Sequence, residues 1–392
     1  MAAIQFDKVD IVFGDRRKAA LALLDQGKTR DEILAETGAV IGAAGIELSV
    51  ERGEICVLMG LSGSGKSTVL RAVNGLNAVA RGHVAVRHDD APVDVTACND
   101  DRLREIRMRT VSMVFQQFGL LPWRTVRENV GFGLEIRGIP SAERRKIVDE
   151  KLAMVGLSQW ADKHAHELSG GMQQRVGLAR AFATDADILL MDEPFSALDP
   201  LIRDKMQDEL LELQRRIQKT ILFVSHDLDE AMKIGNKIAI MEAGRIVQCG
   251  TAEDILLRPA TPYVAEFVKH TNPLNVLRGH SVMKPACSVR RGDGTVLLDR
   301  DGLVRMRVDA GDRPVGVEVN GREGSLGRVN GNAAAFDTPC DIIVAPVELK
   351  LATTIALKRK TDHPIIFVDA DGKLAGLCGD DEIYGSLLRR SA

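Results

Sequence analysis

One stretch, GLSGSGKS at residues 60–67, constrains the fold and chemistry of this chain more than any other. It follows an apolar run, Ile55 to Met59, and leads into a stretch with a helical pattern, so that G-x-x-x-x-G-K-[ST] lies between a strand and a helix. Its glycines let the backbone wrap tightly, so that successive N–H groups turn toward phosphate oxygens. The N-terminus of the next helix adds free N–H groups and partial positive charge. The stretch therefore predicts a loop that binds the phosphates of a nucleoside triphosphate.

Two side chains of this loop carry further chemistry. Lys66 supplies a positive charge for the β- and γ-phosphates, and the Ser67 hydroxyl is a suitable ligand for Mg²⁺. The candidate phosphate-binding set also includes Gly60, Ser62, Gly63, Ser64, Gly65 and Thr68. The loop indicates that the ligand is a nucleoside triphosphate, but it does not indicate which process uses the energy of that ligand.

Length and composition exclude several classes of protein. A chain of 392 residues is long enough for two or more domains. A net charge of −3 gives no support for nucleic-acid binding, and six scattered cysteines without a C-x-x-C pair favour reduced thiols over a disulfide framework or a zinc site. No apolar stretch is long enough to cross a bilayer. We expect a soluble, cytoplasmic protein that meets a membrane only through a partner.

Polar residues follow three further apolar runs, each of which reads as a strand. Gln116 follows the strand Val111–Phe115 and is able to contact Mg²⁺ or position water. Asp192 and Glu193 follow the buried run Ile188–Met191. There Asp192 would hold Mg²⁺, directly or through water, and Glu193 would polarise an attacking water. His226 follows the next strand, and its position at a strand end favours a role at the ligand over a structural one.

A second candidate anion site lies in LSGGMQQR, residues 168–175. Ser169 is placed to cap the helix that follows, and Gly170 and Gly171 leave the backbone bare at its N-terminus. The alternative is an ordinary Ser-Gly helix start.

The N-terminal region contains an interruption. Ile4 to Phe13 alternates as a strand does, and Phe13 is either a core residue or a platform for a nucleotide base. Residues 14–45 then form an insertion with two helices, the second opened by a capping box at Thr29. The next strand is expected at Ile46–Val50. The residues of the insertion do not indicate its function.

The order of these motifs resembles the ATP-binding subunit of ABC transporters. LSGGMQQR is the signature motif of that family, and the resemblance covers roughly Ile4 to Asn272. It implies an α/β P-loop NTPase fold with an antiparallel β subdomain and a helical subdomain at 125–175. The predicted domains are an ABC ATPase domain at 1–272 and a partly degenerate CBS-like regulatory domain at 273–392.

The resemblance also assigns roles. Two copies would pack head to tail, with ATP between the phosphate loop of one copy and Ser169-Gly170-Gly171 of the other. Phe13 would stack on adenine, and Asp199 would act across the dimer interface. The remaining implied roles are Mg²⁺ binding by Ser67, Gln116 and Asp192, general-base catalysis by Glu193, and contact with the γ-phosphate by His226.

Finer resemblance points to importers of glycine betaine, proline betaine, choline and similar quaternary amines. The insertion, VFQQFGLLPWRTVRENV and FSALDPLIRDKMQDEL are similar to that group. An integral membrane permease and, indirectly, a substrate-binding protein are implied as partners at the cytoplasmic face of the inner membrane. Trp123 is either an anchor for the permease or a partly buried packing residue. The alternative function is that of an ATPase for another importer, of an amino acid or other small solute.

Other ABC classes fit less well. Soluble ABC ATPases of DNA repair or the ribosome generally carry a long coiled-coil insertion or two ATPase domains, whereas this chain has one phosphate loop and one LSGGM. The insertion and the C-terminal appendage argue against half of an exporter.

The C-terminal part reads as a compact unit at Asp341–Leu388. We predict a helix at Pro346–Lys358, strands at 365–368 and 374–377 joined by an Asp-Gly hairpin turn, and a closing helix at Asp380–Leu388. This stretch resembles the second half of a CBS module, and residues 282–335 would be a poorly matched first half. The alternative is a dimerising appendage without a ligand.

Overall fold

A computed structural model of the protein describes residues 2–116, 119–269, 271–292, 295–299, 301–329 and 339–388. The chain divides into two compact units, residues 1–265 and 266–392. Among the described residues, no helix combines the length and the apolar character needed to span a bilayer.

The first unit is mixed α/β. Its strands are β1 (Ala2–Phe13), β2 (Val40–Glu51), β3 (Ile55–Met59), β4 (Arg81–His88), β5 (Ala91–Asp94), β6 (Val111–Val114), β7 (Ile188–Asp192), β8 (Thr220–Val224), β9 (Lys237–Glu242) and β10 (Arg245–Gly250). Its helices are α1 (Arg17–Asp25), α2 (Arg30–Thr37), α3 (Lys66–Ala72), α4 (Asp100–Arg109), α5 (Val126–Ile136), α6 (Ser141–Met154), α7 (Gly170–Ala183), α8 (Pro200–Ile217), α9 (Leu228–Ile234), α10 (Ala252–Leu257) and α11 (Pro262–Val268), which runs past the boundary between the units.

A six-stranded sheet, in the order β10-β9-β3-β8-β7-β6, forms the centre of this unit. Its strands β9, β3, β8, β7 and β6 are parallel. Every residue of β3, β7 and β8 is buried, which explains their continuous apolar sequences. Parallel strands have their carboxyl ends at the same edge of a sheet. The residues that follow β3, β6, β7 and β8 therefore all lie along that edge.

A four-stranded antiparallel sheet, β2-β1-β4-β5, packs its apolar face into the same core. Here the prediction for the insertion was wrong at its end: residues 40–45 are not helical but begin β2, and Phe13 pairs with Val40. The small residues of VIGAAG hide the strand alternation, and the register shifts along β1 and β2 disturb it further. The helices of the insertion are α1 and α2, and the capping box at Thr29 is confirmed, with Glu32 as its partner.

A helical subdomain is built from α5, α6 and α7. Their apolar faces share one cluster, which includes Val130, Leu152 and Val176. Gly138-Ile139-Pro140 separates α5 from α6, and a capping box at Thr125 begins α5. The subdomain presents the N-terminus of α7, where the LSGGM motif lies.

The described residues of the second unit form two sheets. Its strands are β11 (Lys284–Pro285), β12 (Arg291–Gly292), β13 (Thr295–Leu297), β14 (Val304–Val308), β15 (Pro314–Val319), β16 (Arg322–Gly324), β17 (Leu326–Arg328), β18 (Ile342–Pro346), β19 (Ile365–Val368) and β20 (Leu374–Cys378). Its helices are α12 (Gly279–Val282), α13 (Leu351–Lys358) and α14 (Asp380–Leu388). Strands β12 to β16 form an antiparallel meander, and the other sheet has the order β11-β20-β19-β18-β17.

Predictions for this unit had mixed outcomes. The β19–β20 hairpin and the closing helix α14 are confirmed, with Gly372 at φ +79° in the turn. The helix predicted from Pro346 was wrong at its start, because Pro346 ends β18 and α13 begins at Leu351. The described residues within 282–335 do not form a separate α/β half, and the remainder of this stretch lies outside the described residues. Strand β11 joins the sheet of the second half instead, and the meander follows it.

The insertion offers a test of packing. Ile33 is fully buried, whereas its neighbour Leu34 is 45% exposed. We expect Ile33→Ala to lower the free energy of unfolding of the first unit by about 2–5 kcal/mol, because it leaves a cavity. Leu34→Ala should change that free energy by no more than about 0.5 kcal/mol. Chemical denaturation of the two variants measures the difference, and equal effects would contradict the packing described here.

Candidate functional site

The phosphate loop connects β3 to α3, and its backbone is pressed against neighbouring segments. A Cβ atom on Gly60 (φ +145°) would lie 2.2 Å from the Met241 carbonyl oxygen. One on Gly65 (φ +99°) would lie 2.3 Å from the Gly42 carbonyl oxygen. Both positions therefore require glycine, for the left-handed backbone and for the close approach.

Lys66 is buried beneath this loop. Its ammonium donates hydrogen bonds to the carbonyl oxygens of Gly60, at 2.8 Å, and Leu61, at 3.0 Å. Burial lowers the pKa of the amine, and the nearby carboxylates of Glu193 and Asp192 oppose that shift. The two carboxylates thus favour the charged form, which is the form suited to pairing with phosphate oxygens.

Asp192 lies at the end of β7 and is fully buried. Its Oδ1 atom accepts a hydrogen bond from the Ser67 hydroxyl at 2.6 Å, and its Oδ2 atom accepts one from Arg71 Nη2 at 2.9 Å. A buried carboxylate requires such partners. Arg71 was missed by the sequence analysis. Its position four residues after Ser67, on the same face of α3, is the signal that could have found it.

The carboxylate of Glu193, which follows β7, contacts side chains that follow two other strands, β6 and β8. Its Oε2 atom accepts a hydrogen bond from Gln116 Nε2 at 3.3 Å and lies 3.3 Å from Nδ1 of His226. The backbone of Glu193 is left-handed, with φ +48°, and its N–H donates to the carbonyl oxygen of Val224 at the end of β8. Such a conformation costs of order 1–3 kcal/mol for a residue with a side chain. The surrounding structure holds the carboxylate at the site edge against this cost.

These groups fit a nucleoside triphosphate with Mg²⁺. The loop provides a cradle of glycines and a buried ammonium, and the paired Ser67 hydroxyl and Asp192 carboxylate are the hard oxygen donors that Mg²⁺ prefers. The hydroxyl of Ser64 is buried without a hydrogen-bond partner among the described residues. Ser62 and Gly63 are exposed, whereas Thr68 is half-buried on α3.

The second candidate anion site lies at the N-terminus of α7. The Ser169 hydroxyl accepts a hydrogen bond from the Met172 N–H at 3.4 Å, so the predicted cap is confirmed. Ser169 and Gly170 are exposed, and a Cβ on Gly170 would meet no atom within 4 Å. Within the described ranges, no hydrogen bond connects Ser169, Gly170 or Gly171 to the phosphate loop of the same chain. The structure therefore does not bring these two predicted anion sites together in one copy.

Asp199 is exposed and caps α8, where its Oδ1 atom accepts a hydrogen bond from the Ile202 N–H at 3.1 Å. The preceding residue, Leu198, packs beside the signature loop, because a Cβ on Gly171 would lie 3.2 Å from Leu198 Cδ2. The loop that carries Asp199 and the LSGGM motif are thus neighbours on one surface.

Phe13 ends β1 and is 39% exposed, so it is not a fully buried core residue. Its ring lies over Gly42, where an added Cβ would approach Phe13 Cε2 to 2.6 Å. The same Cβ would approach the methyl group of Thr68 to 2.9 Å. The ring therefore lies near the first turn of α3, beside the phosphate loop.

Three further side chains contact the site that were not singled out from the sequence. Gln174, which is buried, donates to the backbone oxygen of Glu193 at 3.4 Å. Tyr263 accepts a hydrogen bond from the Leu61 N–H, and Arg30 donates one to the carbonyl oxygen of Gly63. Gln174 could have been found within LSGGMQQR, but Arg30 and Tyr263 lie far from the loop in sequence.

Comparison with known proteins agrees with this geometry. The family model described as ABC transporter matches residues 43–196. The chain is 43% identical to the glycine betaine/carnitine transport ATP-binding protein GbuA of Listeria monocytogenes, over 99% of this chain and 97% of that protein. It is 40% identical to the glycine betaine/proline betaine transport system ATP-binding protein ProV of Escherichia coli, over 96% of this chain and 94% of that protein.

Among solved structures, the chain is similar to MJ0796, a bacterial ABC transporter cassette in a dimeric structure. The TM-score is 0.55 at 30% identity, and the match covers 64% of this chain and 98% of the cassette. The match with its dimeric post-hydrolysis state, bound to ADP and phosphate, has the same values. By its fold, its site and these relatives over nearly its whole length, the chain belongs to the family of ABC transporter ATP-binding proteins.

Proposed function

We propose that this chain is the ATP-hydrolysing subunit of an importer for a quaternary-ammonium compatible solute such as glycine betaine, choline or proline betaine. The observation that carries the proposal is the convergence of Ser67, Asp192, Glu193, Gln116 and His226 on one edge of the parallel sheet. The two betaine-transport relatives support the solute class, because both match more than nine-tenths of the chain.

The residues at this edge have distinct roles in hydrolysis. Glu193 is the general base that takes a proton from the attacking water. Gln116 and His226 orient its carboxylate and contact the γ-phosphate side of the substrate, while Lys66 binds the phosphates. Mg²⁺, held through Ser67, Gln116 and Asp192, would neutralise phosphate charge when bound. Phe13 stacks on the adenine base.

The signature loop acts in a second copy. Ser169 and Gly170 are exposed and Gly171 is half-buried, and within the described ranges no hydrogen bond joins them to the phosphate loop of their own chain. A head-to-tail dimer would close each nucleotide site with the partner's α7 N-terminus, where free N–H groups favour an anion. Asp199, on the neighbouring surface, then acts across the interface. The dimeric cassette structures support this arrangement.

A membrane permease is the second partner. Trp123 is 72% exposed in the segment between Gln116 and α5. This exposure favours the anchor over the packing residue, since large aromatic side chains are enriched at interfaces. A substrate-binding protein would select the solute outside this chain.

The region 273–392 is proposed as a CBS-like regulatory domain that senses ionic strength or binds a nucleotide signal. The succession β18-α13-β19-β20-α14 supports a CBS-like half. A dimerising appendage without a ligand remains the competing function of this region.

Another importer, of an amino acid or other small solute, is the alternative function. The two functions separate when the chain is purified with its permease and binding protein and the solute-stimulated ATPase rate is measured. Glycine betaine or choline should stimulate the rate. Stimulation by an amino acid alone would favour the alternative.

Glu193→Gln should abolish steady-state hydrolysis and trap an ATP-bound dimer, because the water loses its base while the phosphate site survives. Phosphate release and size-exclusion chromatography with ATP measure the two effects. Glu212→Gln, on the exposed side of α8, is the matched control and should hydrolyse ATP normally. Near-normal turnover in Glu193→Gln would contradict the assignment.

Trp123→Ala should reduce co-purification with the permease while ATP binding by the isolated chain is unchanged, because the side chain lies outside the core. Ile136→Ala removes another exposed apolar side chain of this region and serves as the control. If both variants are recovered with the permease in wild-type yield, Trp123 is not an anchor.

Deletion of residues 273–392 should leave ATP hydrolysis by the assembled transporter but change its dependence on salt or on a nucleotide signal. The measurement is the solute-stimulated ATPase rate across a range of salt and nucleotide concentrations. Identical responses of the truncated and complete transporters would contradict a regulatory role.

A further inference from the structure

The outer part of the phosphate loop is an exposed turn. The Ser64 N–H donates to the carbonyl oxygen of Leu61 at 3.1 Å and closes a four-residue turn, in which Gly63 has φ +80°. A positive φ at the third position of such a turn favours glycine. Residues 61–63 are exposed, and the loop itself adds one more hydrogen bond, from the Lys66 ammonium to the Leu61 carbonyl oxygen at 3.0 Å. Exposed turns with few hydrogen bonds open readily. Two side chains from outside the loop hold it at both of its ends.

Tyr263, near the start of α11, holds the first end. Its hydroxyl accepts a hydrogen bond from the Leu61 N–H at 3.2 Å. The same hydroxyl donates to the carbonyl oxygen of Met241 at 3.5 Å. Met241 lies on β9 and is fully buried. The phenol therefore ties the turn to the central sheet.

Arg30, the first residue of α2, holds the other end. Its Nη1 atom donates to the carbonyl oxygen of Gly63 at 3.1 Å. The guanidinium also places a positive charge beside a loop whose ligand is an anion. A bond to a charged donor is stronger than one between neutral groups.

The insertion that carries Arg30 is firmly attached to the first unit. Arg81 of β4 donates two hydrogen bonds to Asp25 of α1, at 2.9 and 2.8 Å, and one to Asp10 at 2.5 Å. Arg81 lowers the pKa of the Asp25 carboxyl, which keeps that group ionised. Leu24 and Ile33 are buried in an apolar cluster with residues of β1 and β2. The position of Arg30 is thus fixed by packing as well as by its own hydrogen bond.

We propose that Arg30 and Tyr263 are positioning residues that hold the turn at 61–64 in its nucleotide-binding shape. The helical insertion then has a function in ATP binding, since it delivers Arg30 to the phosphate loop. This inference rests on the assignment of residues 60–67 as the phosphate loop. Both side chains should then affect the affinity for the nucleotide rather than the rate of the chemical step.

The test uses the full-length chain with Arg30→Ala, Arg30→Lys and Tyr263→Phe. One lost hydrogen bond of about 1 kcal/mol corresponds to about a fivefold change in an equilibrium constant. We therefore expect Arg30→Ala and Tyr263→Phe each to raise the Kd and KM for ATP about fivefold, with kcat retained. Arg30→Lys should recover part of the affinity. Without nucleotide, amide hydrogen exchange in residues 60–65 should be faster in Tyr263→Phe, because the Leu61 N–H loses its acceptor.

Matched controls separate the possible outcomes. Lys28→Ala removes a positive charge from the same insertion, where Lys28 pairs with Glu36, and Tyr384→Phe alters the other tyrosine. Neither should change the Kd or the loop exchange. Equal Kd changes in Lys28→Ala and Arg30→Ala would overturn the specific role of Arg30, and wild-type Kd and exchange in Arg30→Ala and Tyr263→Phe would overturn the inference. Lys66→Ala tests the underlying assignment separately: if it binds ATP as tightly as the wild type, residues 60–67 are not the phosphate loop.

Discussion

The parallel pairing of β3, β8, β7 and β6 is the constraint on which the site depends. Paired residues of these strands lie up to 166 positions apart in the sequence, as Leu58 and Val224 do, yet parallel pairing places the carboxyl ends of the strands at one edge. Parallel pairing therefore places Asp192, at the end of β7, and the adjacent Glu193 beside the loop that follows β3. No interaction between residues close in sequence would bring these groups together. The buried strands keep this arrangement rigid, because each is covered on both faces.

Two carboxylates that are adjacent in sequence have different environments at this edge. Asp192 is buried and its oxygens are both occupied, by Ser67 and Arg71. Glu193 turns through a left-handed backbone and presents its carboxylate to Gln116 and His226. The change of direction between consecutive residues buries one carboxylate against the Ser67 hydroxyl and, in our proposal, leaves the other available to a water molecule.

One predicted anion site of the first unit stays open to solvent in a single copy of the chain. The N-terminus of α7, with Ser169 and Gly170, is exposed and makes no hydrogen bond to the phosphate loop within the described part of the chain. The insertion, in contrast, is packed and ion-paired onto β1 and β4 and reaches the loop through Arg30. In our proposals, a second copy completes the nucleotide site, while the insertion stabilises the half that is already present.

Much of the site could be predicted from the sequence, because its chemistry is carried by short motifs. Local spacing of residues is enough to predict the phosphate loop, the polar residues after apolar runs and the cap at Ser169. In each case the backbone geometry of a strand, turn or helix fixes where residues at that spacing lie. The boundaries of strands and helices could be predicted less well from the sequence. The start of β2 at Val40 and of α13 at Leu351 depends on pairing with distant strands, and the meander at β12–β16 depends on contacts that local patterns in residues 282–335 do not reveal.

The sequence by itself determined the loop, the candidate base, the candidate metal-binding side chains and the signature motif, because each requires particular residue types at fixed spacing. Only the tertiary structure decided that Arg71 pairs with Asp192, that Gln116 and His226 meet on Glu193, and that Arg30 and Tyr263 reach the phosphate loop. The physical reason is distance along the chain: a hydrogen bond between residues far apart in sequence exists only once sheet pairing and core packing have brought their backbones together.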